Sequence, residues 1–261
     1  MNTIDYQHIQ TTARALADAA REPALRHFRS SLTIDSKGTA FDPVTIADRE
    51  TEAAMRAVLA RRCPQDGILG EEGGAVPSRS GLTWVLDPID GTRGYISGTP
   101  TWGVLIALRD ETGPLIGIID QPFTGERFEG GPGGATWTRG AETRILSTGS
   151  TENLADATIV TTFPEVGTDA EGAAFRRVAA QCRLTRYGLD CYGYALLAAG
   201  HVDLVVEAGL HPYDIAAPVA LVQAAGGIVT DWQGGPAHDG GTAIAAATPA
   251  LHAAALASLN D

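Results

Sequence analysis

The stretch Trp84-Val-Leu-Asp-Pro-Ile-Asp-Gly-Thr-Arg93 constrains this chain more than any other. It predicts a short apolar strand that ends at two carboxylates, Asp87 and Asp90, placed around Pro88. Proline fixes its own φ and pushes the preceding residue toward extended backbone, so the chain leaves the strand along a restricted path. Asp90-Gly-Thr92 then predicts a helix start, which Asp90 can cap and where Gly91 exposes its N–H to a ligand.

These neighbouring groups conflict electrostatically unless a cation lies between them. A helix N-terminus favours an anion, whereas Asp87 and Asp90 would repel one. A divalent cation removes the conflict, because it binds both carboxylates and attracts a phosphate oxygen. The stretch therefore predicts a metal and a phosphate at one site. The alternative is a capped strand-to-helix turn with solvated acids.

Composition limits the range of partners. The 261-residue chain has a formal net charge of −12 and no run of Lys or Arg, which argues against binding nucleic acid or an anionic membrane surface. No apolar run approaches the roughly 20 residues that span a bilayer, and the N-terminal residues lack the features of a secretory signal. Cys63, Cys182 and Cys191 include no CxxC pair, so we expect free thiols in a cytoplasmic protein.

The first half, residues 1–146, predicts an α+β arrangement. Apolar residues at helical spacing between residues 4 and 29 indicate one or two amphipathic helices, which Pro23 can bend or restart. Lys37 is expected in a solvated loop, and a second helix follows Asp48. Besides the strand at Trp84, strands are predicted at residues 66–72, 102–108, 114–120, 126–129 and 135–138.

The second half, residues 147–261, predicts alternating strands and helices, which is typical of a sheet covered by helices. The predicted strands are residues 157–162, 202–207, 227–231 and 243–247. The predicted helices lie near residues 170–181, 190–199, 214–225 and 248–259. We expect the halves to pack intimately.

Asp87-Pro-Ile-Asp-Gly-Thr92 resembles the signature of the inositol monophosphatase family, which comprises magnesium-dependent, lithium-sensitive phosphatases of sugar and polyol phosphates. Three more segments resemble the family's other motifs in the same order: Asp42-Pro-Val-Thr-Ile-Ala-Asp48, Gly70-Glu-Glu72 and His211-Pro-Tyr-Asp-Ile-Ala-Ala217. The resemblance implies the layered αβαβα sugar-phosphatase fold, Mg²⁺ as cofactor with Mn²⁺ as a substitute, a small phosphate monoester as substrate, and a homodimer.

The resemblance also implies an all-oxygen metal site between the halves. Hard oxygen ligands suit Mg²⁺, and carboxylates this close raise one another's pKa when no cation is present. Asp214 would be the ligand delivered from the second half, although by spacing alone it is another helix cap. The implied ligands are Glu71, Asp87, the Ile89 carbonyl, Asp90 and Asp214.

The same resemblance implies direct hydrolysis by a metal-activated water, without a covalent phospho-enzyme. Asp48 matches the family acid that hydrogen-bonds the motif threonine, here Thr92, and the pair would orient the water and accept its proton. Spacing alone leaves Asp48 open as a helix N-cap. The N–H groups of Gly91 and Thr92 would hold phosphate oxygens.

The residues around the metal motifs must recognise the alcohol. Gly91–Gly98 and Arg186–Tyr194 depart from inositol monophosphatases proper and resemble the histidinol-phosphate phosphatase branch. Glu207 is a candidate partner for the substrate ammonium, and Asp190 for the ammonium or the imidazole ring. Their alternatives are a solvated strand end and a helix N-cap. Arg93 has three candidate roles: binding phosphate, tethering a loop or contacting a second subunit. The candidate substrate-binding residues are Asp90, Gly91, Thr92, Asp190, Glu207 and Asp214.

Three functions remain open from the sequence. The first is histidinol-phosphate phosphatase in histidine biosynthesis. The second is an inositol-1-monophosphatase or 3′-phosphoadenosine 5′-phosphate phosphatase of the same family. The third is a non-catalytic phosphate-ligand-binding protein, against which the presence of every catalytic-type residue counts.

Overall fold

The computed structural model describes residues 5–30, 35–36 and 43–261, with only the backbone described at residues 35–36 and 43–44. Lys37 and Asp42 lie outside the described residues. The α-helices of the described part are α1 (Tyr6–His27), α2 (Ile46–Arg62), α3 (Thr92–Ser97), α4 (Asp169–Ala179), α5 (Cys191–Ala198), α6 (Pro212–Ala224) and α7 (Pro249–Asn260). Its strands are β1 (Asp35–Ser36), β2 (Pro43–Val44), β3 (Gly67–Gly70), β4 (Gly74–Val76), β5 (Thr83–Asp90), β6 (Gly103–Arg109), β7 (Pro114–Gln121), β8 (Glu126–Gly131), β9 (Gly134–Arg139), β10 (Glu142–Leu146), β11 (Thr158–Thr161), β12 (Leu184–Tyr187), β13 (Leu204–Leu210), β14 (Ile228–Thr230) and β15 (Gly241–Ala246).

Two large sheets organise the described residues. The first has the order β10-β9-β8-β7-β6-β5-β3-β4, and its pairs are antiparallel except for the parallel pair β3 and β5. The second has the order β12-β11-β13-β15-β14. In it β11 is parallel to both of its neighbours, whereas β15 is antiparallel to β13 and β14. The short β1 and β2 form a separate antiparallel pair.

Alternation along the central strands produces five layers. Successive strand residues point to opposite faces, so Trp84 and Leu86 of β5 pack with α1 and α2, while Val85 packs with α5 and α6. In the second sheet, Val205 of β13 contacts this middle helical layer, and its neighbour Leu204 packs with α4 and α7. The predicted αβαβα arrangement is confirmed. The middle layer of α5 and α6 receives side chains from both sheets.

A buried ion network fixes α1 to the first sheet. Asp120 of β7 is fully buried and accepts hydrogen bonds from Arg21 of α1 at 2.8 and 2.9 Å. Arg127 of β8 donates to the same carboxylate at 2.6 Å and to Asp18 at 2.7 Å. The two guanidinium groups compensate the buried charge, so removal of either would leave Asp120 under-compensated.

The elements agree closely with the sequence predictions, with a few differences. Residues 6–27 form a single helix that contains Pro23. The prediction missed the short pair β1 and β2 as well as β4, β10 and β12. Cys63, Cys182 and Cys191 are free thiols, as predicted. None of the helices in the described part of the chain is both long and apolar enough to cross a membrane.

Candidate active site

A shift in strand register brings Asp87 and Asp90 to the same face of the first sheet. Two residues of odd separation on a regular strand would point to opposite faces. However, the pairing of β5 with β6 shifts between Asp87 and Asp90, and an extra residue in a bulge re-aims the side chains that follow it. The strand therefore runs on to Asp90, where the sequence predicted that it would give way to a helix cap.

Asp90 is held by the middle helical layer. Its Oδ2 accepts a hydrogen bond from the backbone N–H of Cys191, at the start of α5, at 2.6 Å. The predicted capping of α3 by Asp90 is wrong, because the N-cap position belongs to Gly91, which has a φ of 83° and makes no side-chain cap. A side chain at Gly91 would also collide with Asp190, because a Cβ built there lies 2.7 Å from the Asp190 Cγ. Glycine is therefore required for two independent reasons.

Asp214 reaches the same point from the second half of the chain. Pro212 occupies the first turn of α6, and His211 is the N-cap of that helix. The backbone N–H of His211 donates to Asp214 Oδ2 at 2.6 Å. Asp87, Asp90 and Asp214 each offer a carboxylate oxygen, and these oxygens lie within 4.8 Å of one another. Such a cluster of hard oxygen donors fits a divalent cation such as Mg²⁺.

The acids of this cluster raise one another's pKa. Asp87 is 2% exposed, and burial raises its pKa well above the usual range, with further increases from Glu71, Asp90 and Asp214. Burial also raises the pKa of Asp90, and Asp190 and Asp214 add to that effect. A bound cation would relieve the repulsion among these acids.

Of the adjacent acids Glu71 and Glu72, the structure places Glu71 in the cleft. The turn that follows β3 is anchored by Glu52, which is 2% exposed and accepts hydrogen bonds from the N–H groups of Glu72 and Gly73 at 2.7 and 2.8 Å. This role of Glu52 in holding the turn was not predicted from the sequence. The charge of Glu72 acts on Asp48 instead, whose pKa it raises in addition to the larger effect of burial.

Asp48 and Thr92 do not form the expected hydrogen bond. Asp48 Oδ2 accepts from the Thr45 N–H at 2.8 Å and from the Thr45 hydroxyl at 2.7 Å. The Thr92 hydroxyl donates to the Ile89 carbonyl at 3.2 Å. Asp48 is not the N-cap of α2 either, because Thr45 holds that position and Asp48 completes the capping box.

Glu207 forms part of the floor of the cleft. It is 7% exposed, so the alternative of a solvated strand end is wrong. It accepts hydrogen bonds from the N–H and hydroxyl of Thr162 at 2.7 and 3.0 Å and from the Thr161 hydroxyl at 3.2 Å. Burial raises the pKa of Glu207 to about 7 even though these donors oppose the shift.

Asp190 occupies the N-cap position of α5 but makes no side-chain cap. Its φ of 49° is rare for a residue with a side chain, and such strain is often found at functional sites. Thr101 donates to its carboxylate at 3.3 Å. Burial raises the pKa of Asp190, whereas Thr101 and the charge of Arg93 oppose the rise. The Asp190 side chain therefore lies in the cleft and does not cap α5.

Arg93 connects the two halves across the cleft. Its guanidinium carbon lies 4.7 Å from the centre of the Phe163 ring, which is within the range of a cation–π contact. Phe163 lies shortly after β11 and lines the cleft. It was not predicted from the sequence. Of the three roles considered for Arg93, this contact matches the tethering of a loop.

The cleft has a volume of about 270 Å³, and it is lined by Glu71, Asp90, Gly91, Thr92, Arg93, Thr162, Phe163, Asp190, Glu207, Ala208, Gly209, Leu210, His211, Tyr213 and Asp214. A larger cavity of about 660 Å³ lies elsewhere, beside His8 and Cys63, and none of the predicted site residues lines it. Five of the acids predicted from the sequence therefore line one concave site, which is where ligands usually bind: Glu71, Asp90, Asp190, Glu207 and Asp214. Asp87 adjoins it through Asp90 and Asp214, whereas Asp48 is not among the lining residues.

Comparison with known proteins identifies the family. The sequence model of the inositol monophosphatase family matches residues 5–261, and the chain therefore belongs to the inositol monophosphatase family. Enzymes of this family are metal-dependent phosphatases that act on small phosphate esters, in agreement with the acidic cluster.

The names of individual relatives differ. The chain is 40% identical over 236 residues to the chloroplastic bifunctional phosphatase IMPL2 of Arabidopsis thaliana, covering 90% of this chain and 67% of that protein. It is 35% identical over 255 residues to a histidinol-phosphatase of Mycobacterium tuberculosis, covering 95% and 96% of the two chains. A solved inositol monophosphatase from Zymomonas mobilis is 40% identical, with a TM-score of 0.88 and coverage of 99% and 100%.

Proposed function

We propose that this protein is a Mg²⁺-dependent phosphatase that hydrolyses L-histidinol phosphate to L-histidinol and phosphate in histidine biosynthesis. The observation that carries the proposal is the convergence of Asp87, Asp90 and Asp214 within 4.8 Å, in a cleft that also contains Asp190 and Glu207. A cytoplasmic location and a homodimer remain predictions.

The donor set supports Mg²⁺, with Mn²⁺ as a substitute. Carboxylate and carbonyl oxygens suit hard divalent cations, and Glu71, Asp87, Asp90, Asp214 and the Ile89 carbonyl would hold the metal. When bound, the cation supplies positive charge for the phosphate and lowers the pKa of a water molecule. The Ile89 carbonyl has one lone pair committed to Thr92 and can use the other.

The residues around this set would orient the phosphate and the water. Gly91 and Thr92 line the cleft next to Asp90, where their N–H groups would bind phosphate oxygens. The Thr92 hydroxyl would orient the attacking water. Asp48, whose pKa is raised by burial, is the proposed proton acceptor. Proton transfer to it requires Thr92 to exchange its hydrogen bond with Ile89 for one with Asp48.

The acids on the alcohol side of the cleft support a cationic substrate. Histidinol phosphate carries an ammonium group and an imidazole ring, and a buried carboxylate such as Glu207 would pair with the ammonium. Asp190 would contact the ammonium or the ring. Relatives named histidinol-phosphatase match this chain over nearly their full length, which supports the same substrate. Inositol phosphate carries no cationic group to compensate these acids.

Phosphate release from a panel of substrates tests the proposal. The panel contains histidinol phosphate, myo-inositol 1-phosphate and 3′-phosphoadenosine 5′-phosphate, each measured with Mg²⁺ and with EDTA. We expect Mg²⁺-dependent turnover with a clear preference for histidinol phosphate, and a loss of about 1,000-fold or more in Asp90→Asn, equivalent to about 4 kcal/mol of barrier. Equal turnover of the histidinol and inositol phosphates would contradict the substrate assignment, and near-full activity of Asp90→Asn would contradict the site.

A further inference from the structure

The hydroxyl of Tyr194 is buried and has no hydrogen-bond partner among the described residues. The residue is 3% exposed. Two other tyrosines differ in this respect, because the Tyr95 hydroxyl donates to the Ala24 carbonyl at 2.7 Å and the Tyr192 hydroxyl donates to Glu126 at 2.8 Å. A buried hydroxyl without a partner is costly, so a hydrogen bond from Tyr194 would be favourable.

Tyr194 belongs to the helical layer that packs on the second sheet, in the same core cluster as Val205. It is the fourth residue of α5, and the helix begins directly after Asp190, which lines the cleft. Gly193 packs over β11 and β13, since a Cβ built there would lie 3.1 Å from the Val160 side chain and 3.9 Å from that of Val205. Glu207 is two residues further along β13 and therefore points to the same face as Val205. The face of β13 that carries Val205 and Glu207 is therefore the face that α5 covers, and Tyr194 lies in that helical layer.

The charges around Tyr194 agree with this geometry. Burial raises the pKa of the Tyr194 phenol well above its ordinary value, and the charges of Glu207, Asp90 and Asp214 raise it further, with Glu207 contributing the most of the three. The phenol therefore keeps its proton and can donate it in a hydrogen bond. Glu207, Asp90 and Asp214 are the carboxylates whose charges act on it.

Glu207 has acceptor capacity left for such a donor. Its Oε1 accepts two hydrogen bonds from Thr162, whereas its Oε2 accepts one, from Thr161 at 3.2 Å. A carboxylate oxygen can accept two hydrogen bonds. One acceptor position on Oε2 is therefore available.

We propose that the Tyr194 hydroxyl donates to Glu207 Oε2 through one buried water and thereby positions Glu207 for the alcohol end of the substrate. A bridging water suits a buried polar pocket with several hydrogen-bonding groups. Tyr194 is thus a positioning residue, which acts on the substrate through Glu207. The assignment of Glu207 to the substrate ammonium rests on the function proposed above.

Steady-state kinetics with matched variants test the role. Tyr194→Phe removes the hydroxyl, and Tyr192→Phe is the control, because it removes a hydroxyl from the same helix that bonds to Glu126, away from the cleft. In the Mg²⁺-loaded enzyme, Tyr194→Phe should raise the KM for histidinol phosphate about tenfold, the equivalent of one well-made hydrogen bond. Its kcat should change less than about twofold, and Tyr192→Phe should change neither constant.

Two further comparisons separate positioning from a general structural effect. With phenyl phosphate, which has no amine, Tyr194→Phe should leave KM unchanged. In a Glu207→Gln background, Tyr194→Phe should add no further loss, because residues that act through one contact are non-additive. Equal losses on both substrates, or fully additive losses in the double variant, would overturn the proposal.

A crystal structure of the Mg²⁺-loaded protein distinguishes this inference from the function on which it rests. The proposal requires a water within hydrogen-bond distance of both the Tyr194 hydroxyl and Glu207 Oε2, whichever phosphate ester the enzyme prefers. Absence of that water from well-defined electron density would overturn the inference. Failure of the wild-type enzyme to hydrolyse histidinol phosphate would instead overturn the proposed function.

Discussion

Removal of the Asp214 charge should stabilise the metal-free protein and weaken its response to Mg²⁺. Asp214→Asn keeps an oxygen that can accept the hydrogen bond from the His211 N–H, which is 2.6 Å long in the wild type, so the start of α6 should be preserved. The substitution removes the negative charge that faces Asp87 and Asp90. One carboxylate oxygen from each of these three acids lies within 4.8 Å of the others.

The magnitude follows from that distance. At an effective dielectric constant of about 20, two unit charges 4.8 Å apart repel by roughly 3 kcal/mol. Burial already favours the protonated forms of Asp87 and Asp90, so only part of this repulsion is present. We therefore expect a gain of about 1–3 kcal/mol in the free energy of unfolding. For a chain of this size that gain raises Tm by roughly 2–10 °C.

Thermal unfolding in EDTA and in millimolar Mg²⁺ measures both effects. Mg²⁺ should raise the wild-type Tm, since a ligand at 100 times its Kd adds about 2.7 kcal/mol of stability, and most of this rise should be lost in Asp214→Asn. Glu111→Gln, which removes one charge from an exposed loop, is the control and should behave like the wild type. A lower Tm for Asp214→Asn in EDTA, or a full Mg²⁺ response, would refute the argument.

Two other substitutions test the cleft. Gly91→Ala should lower the free energy of unfolding, measured in urea, by about 1–3 kcal/mol and should abolish most activity, because φ is 83° and the Cβ would lie 2.7 Å from Asp190. The control Gly140→Ala, at a φ of 59° with open space around the Cβ, should lose less stability and stay active. For Glu207, whose pKa is raised to about 7, stability is greatest below the pKa of the unfolded chain and falls as pH rises through about 7. Between pH 4.5 and 7 the free energy of unfolding of the wild type should fall by up to about 3 kcal/mol more than that of Glu207→Gln. If urea denaturation shows the same pH dependence of stability in the two proteins, the raised pKa is excluded.

Sequence patterns and turn residues were sufficient to predict most of the fold. The helices of the second half lie within about two residues of their predicted positions. An amphipathic pattern marks α4, whereas α6, buried from Ile215 to Val222, is marked by a long apolar run between turn residues. The missed strands β4, β10 and β12 are largely exposed. They lie at sheet edges, where no apolar face marks them and pairing with the neighbouring strand determines their structure.

The resemblance to the family motifs predicted the convergence of Asp87, Asp90 and Asp214, which the structure shows. Spacing alone had left Asp214 open as a helix cap. The hydrogen bond from the Cys191 N–H to Asp90 was not predictable, because a backbone donor leaves no signature in the sequence. Spacing likewise could not decide that Asp48 bonds to Thr45, three residues away, and not to Thr92.

Anomalous diffraction from crystals soaked in Mn²⁺ tests the central claim most directly, because this ion gives a signal that Mg²⁺ lacks and accepts the same oxygen ligands. We predict an anomalous peak at about 2.2 Å from carboxylate oxygens of Asp87, Asp90 and Asp214, which would be lost in Asp214→Asn crystals. A peak bound by first-half residues alone, or no peak in the cleft, would contradict the conclusion that both halves of the chain build the metal site.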